Sequence, residues 1–99
     1  MAKIIWSDRA LDDLENIGNY ISQDSIKYAK ITLQRILESA KLVETNPKIG
    51  RVVPEIGNKN IREFIAGRYR IIYHLQAKES ASILTIHHSS RNFNSKSID

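Results

Sequence analysis

Gly67-Arg68-Tyr69-Arg70-Ile71-Ile72-Tyr73-His74-Leu75-Gln76 is the stretch on which the fold turns. Tyr69, Ile71, Tyr73 and Leu75 recur at every second position, so an extended chain puts them on one face. Arg68, Arg70, Ile72, His74 and Gln76 alternate with them on the other. The pattern predicts a strand over 68–76 with one apolar face that another layer must cover. Ala66-Gly67 supplies a tight turn before it.

Working outward, Ile61 to Ile65 reads as a strand upstream of the turn, and Ser82 to about Ser90 as a strand after a turn at Ala77–Ser80. The cover for the sheet comes from the N-terminal half. Lys3-Ile4-Ile5-Trp6-Ser7 is a short strand, and Ser7 or Asp8 fits the N-cap of a helix. Leu11, Leu14, Ile17, Gly18 and Ile21 share one face of that helix, and Asp12, Asp13 and Glu15 complement its dipole. Ser22–Ser25 breaks the pattern. A second helix from Ser25 to Thr45 carries Ala29, Leu33, Ile36, Leu37, Ala40 and Val43, and Asn46-Pro47 ends it. The short link makes a helical hairpin. Residues 47–60 hold both prolines and two of the four glycines and read as a loop. The fold class is therefore α+β, in the order β-α-α-β-β-β. A helical hairpin is expected on one face of a small antiparallel sheet, with the polar alternates Arg68, Arg70 and His74 on the other. The 99 residues form one domain, with the tail 94–99 frayed.

Composition excludes several function classes. There is no cysteine, hence no disulfide framework and no thiolate nucleophile, which fits a reducing cytoplasm. No apolar run reaches the roughly 18 residues of a membrane span, and the first seven residues are too short for a signal peptide core. The net charge of +4 is unevenly placed. Residues 1–46 carry one more acid than base, whereas residues 47–99 carry five more bases than acids. A basic half favours an acidic partner, nucleic acid or protein, though a solvated surface accounts for it equally well.

Metal and cofactor chemistry finds no motif. His87 and His88 are adjacent on a strand and point to opposite faces, so they cannot chelate one ion together. His74, His87 and His88 read first as half-buried strand residues. No phosphate-cradling glycine motif is present. What remains is a cationic set, Arg62, Arg68, Arg70 and Arg91, interleaved with Tyr69, Tyr73, the histidines and Phe93. Arginine forks suit phosphate, and the rings suit unpaired bases. Arginine stays protonated, so only a histidine could shuttle protons near neutral pH.

Several motifs in order resemble the RelE/ParE toxin superfamily. They are Ile5-Trp6-Ser7 with Ala10, Asp13-Leu14-Glu15, Ile17 and Tyr20-Ile21; Gly50-Arg51 with Pro54-Glu55-Ile56-Gly57; Ile61-Arg62-Glu63 with Gly67–Tyr73; and Ile83-Leu84 with Ile86–Phe93. The resemblance covers roughly residues 4–93. It implies the toxin of a type II toxin–antitoxin pair, as in plasmid stabilisation systems, held inactive by a cognate antitoxin. The pair would touch DNA only as the complex.

ParE-type members inhibit DNA gyrase by binding, whereas RelE-type members cleave mRNA on the ribosome. On the RelE reading Arg70, Arg91 and His88 would be catalytic, and Arg62, Arg68, Arg70 and Arg91 would contact the target or its phosphates. Two departures favour the ParE side. Glu63 stands where RelE-type enzymes carry a lysine, and the tail Asn92–Asp99 has no tyrosine. A non-toxic, antitoxin-binding member is the third alternative. The expected antitoxin is acidic with an amphipathic helix, and Leu33, Ile36, Leu37, Arg68 and Arg70 are its expected contacts. No cofactor, metal or membrane role is implied.

Overall fold

The computed structural model describes residues 3–76 and 80–89. The chain begins with β1 (Lys3–Trp6), and Ser7 then starts α1 (Asp8–Ser22). The Ser7 side chain accepts from the Ala10 N–H at 3.0 Å, satisfying one of the helix's orphan donors. Ser25 caps α2 (Ile26–Thr45) in the same way through the Tyr28 N–H. Gly18 lets the two helices close, because a Cβ there would meet Leu33 Cδ1 at 3.0 Å. Four strands follow: β2 (Arg51–Val52), β3 (Ile61–Ala66), β4 (Tyr69–Gln76) and β5 (Ser80–His88). Among the described residues, no helix is long and apolar enough to cross a membrane.

The sheet order is β1-β5-β4-β3-β2. The expected α+β architecture holds, with two differences. The sheet is mixed, because β1 pairs parallel with β5 while the other neighbours are antiparallel. A parallel pair needs a crossover connection, and the helical hairpin is part of it. Within the expected loop, Arg51 and Val52 also pair with Glu63 and Arg62 as an added edge strand. The β3–β4 turn is Gly67-Arg68 rather than Ala66-Gly67. Gly67 takes φ +60° at the first central position, which favours glycine. Arg68 is thus a turn residue, not the first residue of β4.

A bulge interrupts β5. Ile72 faces Thr85 and Tyr73 faces Ile83, so Leu84 has no partner across the ladder. The bulge is tied to the start of α1 and its flank. Ser7 Oγ donates to the Leu84 carbonyl at 2.9 Å, and Asp13 accepts from the Thr85 hydroxyl at 2.6 Å and the Ile86 N–H at 2.9 Å. Asp13, which the sequence suggests as a dipole complement, is therefore a clamp between α1 and β5.

The apolar alternates of β4 do meet the helices. Tyr69, Ile71, Tyr73 and Leu75 pack with Ala10, Ile36, Val43, Ile83 and Ile86 in the main core. The opposite face departs from expectation. It is not an open polar surface, because β2 and the following turn lay Val53 and Ile56 over Ile72, Ile61 and Leu84 as a second small core. That cover changes the surroundings of the arginines.

Candidate functional site

Arg70 lies across from Ile65, on the face it shares with Glu63 and Ile72. Its side chain is only 10% exposed. Nε donates to Glu63 Oε1. The two terminal nitrogens form a fork onto Glu55, NH1 to Oε2 at 2.8 Å and NH2 to Oε1 at 3.0 Å. Arg51, exposed at the sheet edge, donates from Nε to the other Glu63 oxygen at 2.6 Å. Two arginines and two carboxylates thus alternate as Arg51, Glu63, Arg70, Glu55, with no net formal charge. Bidentate pairing is the strong form of the arginine–carboxylate bond. It holds the Glu55 carboxyl down to about 2, and the same bonds raise the Arg70 pKa.

The segment that carries Arg51 and Glu55 is pinned by Tyr73. The Tyr73 hydroxyl donates to the Pro47 carbonyl at 2.7 Å and accepts from the Gly50 N–H at 2.9 Å. Burial pushes this phenol's pKa up. Gly50 is required by close approach, since a Cβ would overlap the Glu63 carbonyl oxygen and stand 2.6 Å from Tyr73 Oη. Arg62 NH1 donates to the Gly50 carbonyl at 2.9 Å. Three arginines of the basic half are thereby committed to holding residues 50–55 on the sheet.

Open concave surface lies elsewhere, in part beside the β3–β4 turn. A cavity of about 450 Å³ lies where α2 faces the β3–β4 turn, lined by Tyr28, Thr32, Arg35, Arg68, Tyr69 and His88 among others. A second, of about 170 Å³, lies on the α1 side of Tyr69 and His88, with Asn16, Ile17 and Tyr20. The Tyr69 and His88 rings meet edge to face at 5.3 Å and form the wall between them.

The family model for "ParE toxin of type II toxin-antitoxin system, parDE" matches residues 4–93. The chain belongs to the ParE toxin family. No curated protein sequence matches it. Among solved structures it resembles the chromosomal ParDE toxin–antitoxin system of P. aeruginosa, with TM-score 0.73 and 20% identity over 89% of this chain and 96% of that one. It also resembles the RelBE2 toxin–antitoxin complex of Mycobacterium tuberculosis, with TM-score 0.64 and 18% identity over 88% and 96% of the two chains. A double mutant of the E. coli toxin RelE in the free state gives TM-score 0.66 and 14% identity over 91% and 86%. These likenesses establish the fold shared by ParE and RelE toxins.

The residues singled out in the sequence fall into separate places in this ParE-family fold. Arg70 is in the buried network and Arg62 is bonded to the Gly50 carbonyl, so neither projects from an open basic face. Arg68, on the turn, and His88, at the end of β5, both line the cavity of about 450 Å³. The two histidines do separate, with His87 across from Arg70 and His88 across from Tyr69. Ile36 is fully buried in the main core and has no surface to offer an antitoxin, which corrects its reading as a contact residue. Leu33 is half-buried against Gly18, while Leu37 is 46% exposed. Arg91 and the tail lie outside the described residues. Sequence reasoning missed Tyr28, Arg35 and Glu55. Glu55 sat in a segment without periodicity, and Tyr28 and Arg35 are off the apolar stripe of α2.

Proposed function

We propose that this toxin arrests growth by binding DNA gyrase, not by cutting mRNA. The observation that carries the reading is the state of Arg70. A phosphate clamp needs a guanidinium fork aimed at the substrate. Here Nε and both terminal nitrogens of Arg70 are bonded to Glu63 and Glu55. A substrate phosphate would have to displace Glu55 and would meet the buried carboxylate of Glu63. Glu63, read from sequence as a missing lysine, thus gains a structural reason to be acidic: it ties Arg51 to Arg70.

The proposed setting is the cytoplasm, with a cognate acidic antitoxin as the neutralising partner and DNA contacted only through the complex. The pair would stabilise the replicon that encodes it. Induction of the chain without antitoxin in a bacterial host tests the mode of action. Growth should stop while primer extension on abundant transcripts shows full-length products. Codon-phased cuts would overturn the reading in favour of the ribosome-dependent nuclease, and unimpaired growth would favour a non-toxic regulatory member.

A further inference from the structure

α2 carries two stripes at helical spacing, and the fold uses one. Ala29, Ile36, Ala40 and Val43 are buried and Leu33 faces Gly18, so that side of the helix is spent on α1 and the sheet. Tyr28, Ile31, Arg35, Glu38, Leu42 and Thr45 are all exposed, at alternating intervals of three and four residues. That is the heptad spacing by which one helix presents a continuous seam to another. The seam runs along most of a 20-residue helix, about 30 Å long. Tyr28, Ile31 and Leu42 keep 58%, 38% and 48% of their surface in solvent. Single exposed apolar side chains are ordinary, but a row of them on one face marks an interaction site.

The charges on the seam say what covers it. Arg35 forms no ion pair among the described residues. Glu38 is within reach of it on the same helix, but base before acid is the poorer order along a helix. Glu38 Oε1 accepts instead from Gln34 Nε2 at 3.2 Å. A second α2 laid antiparallel, about a two-fold axis midway between residues 36 and 37, sets Glu38 opposite Arg35, Leu42 opposite Ile31 and Thr45 opposite Tyr28. Each match occurs twice, as a closed contact between identical patches requires. A parallel copy would set Arg35 against Arg35 and Glu38 against Glu38.

We propose that the chain pairs with a second copy of itself through this seam, α2 against α2 and antiparallel. The Arg35–Glu38 pairs fix direction and register, and the Ile31–Leu42 pairs on either side of them supply the apolar contact. The seam lies on the helical layer, apart from the Arg70 network, so the inference does not depend on the target of the toxin.

Sedimentation equilibrium of the full-length chain, from about 1 µM to about 500 µM, spans the range in which a small interface dissociates. The mass should rise from the 11.3 kDa of one chain toward twice that value. Arg35→Glu should weaken association by at least about tenfold, and Glu38→Arg likewise, because each sets like charges together twice. Arg35→Glu with Glu38→Arg exchanges the two charges and should return affinity to within about threefold of the parent. Leu42→Ala should weaken association by about tenfold or more, since each dimer loses the side chain twice. Leu37→Ala removes an equally exposed leucine from the other flank of α2 and should leave affinity within about threefold. Circular dichroism confirms that each variant is folded. A monomer across the whole range would overturn the proposal, and is the outcome expected if the antitoxin alone covers this seam. A dimer indifferent to the single charge reversals, or one that the exchanged pair fails to restore, would overturn it as well.

Discussion

Replacing Arg70 by alanine should cost stability before it costs anything else. The Glu63 side chain is wholly buried, and in the variant it keeps only Arg51, whose own side chain is 66% exposed. Removing one member of a buried ion pair costs about 3–5 kcal/mol, because the other charge is left inside without its partner. The surviving Arg51 bond puts the expected loss near the lower end, about 3 kcal/mol. For a chain of this size that is a fall in Tm of about 12–24 °C. Thermal and urea unfolding at pH 7 measure it. The companion variant, Arg70→Met with Glu63→Leu, removes the buried charge as well as its partner. It should be more stable than Arg70→Ala by about 1–2 kcal/mol. An Arg70→Ala protein within about 0.5 kcal/mol of the parent would refute the structural role, as would strict additivity of the two positions. The result also governs how toxicity is interpreted. Loss of growth arrest in Arg70→Ala reports unfolding unless the folded double variant loses it too.

Further outcomes follow from the same segment and from the helix ends. The Glu55 carboxyl titrates at about 2 in the fold against an ordinary 4.5, so its bond to Arg70 contributes fully above about pH 4.5 and is lost as pH falls toward 2. Glu55→Gln should therefore flatten the dependence of unfolding free energy on pH between 4.5 and 2 relative to the parent, as followed by urea titration at fixed pH. Tyr73→Phe strands the buried Gly50 N–H and should cost about 1–3 kcal/mol in denaturant unfolding. Gly50→Ala forces a Cβ against backbone and the same phenol and should cost at least about 1–3 kcal/mol in the same measurement. Ser7→Ala removes both the cap of α1 and the donor to the bulged Leu84 carbonyl. A loss of about 1–2 kcal/mol is expected, with hydrogen exchange faster at the start of α1.

Residues 69–75 carried the fold because their period matches a strand with one covered face, and the structure covers that face. The cap of α1 was legible for the same local reason, since Ser7 precedes an apolar periodic run, whereas Ser25, read as the first residue of the second helix, is its cap. The opposite face was not legible. Its cover comes from Val53 and Ile56, in a segment whose prolines and glycines suppress any periodic signal, so Arg70 looked exposed. Glu55 and Arg70 are bonded across 15 positions of sequence, a distance at which charge pattern gives no register. Asp13 carried a plausible local role that hid its long-range one, since the β5 bulge it serves leaves no trace in the alternation. Of the site, Arg68 and His88 were named from sequence. Arg35 was not, because a solvent-side arginine on a helix looks like any other until the hairpin turn is placed beside it.

The proposed action is by binding, with the strand arginine Arg70 spent on holding the sheet together. Plasmid supercoiling by purified gyrase, titrated with the purified toxin, tests it most directly. Supercoiled product should fall as toxin approaches the gyrase concentration and return when the antitoxin is added. Undiminished supercoiling at a large molar excess of folded toxin would contradict the account.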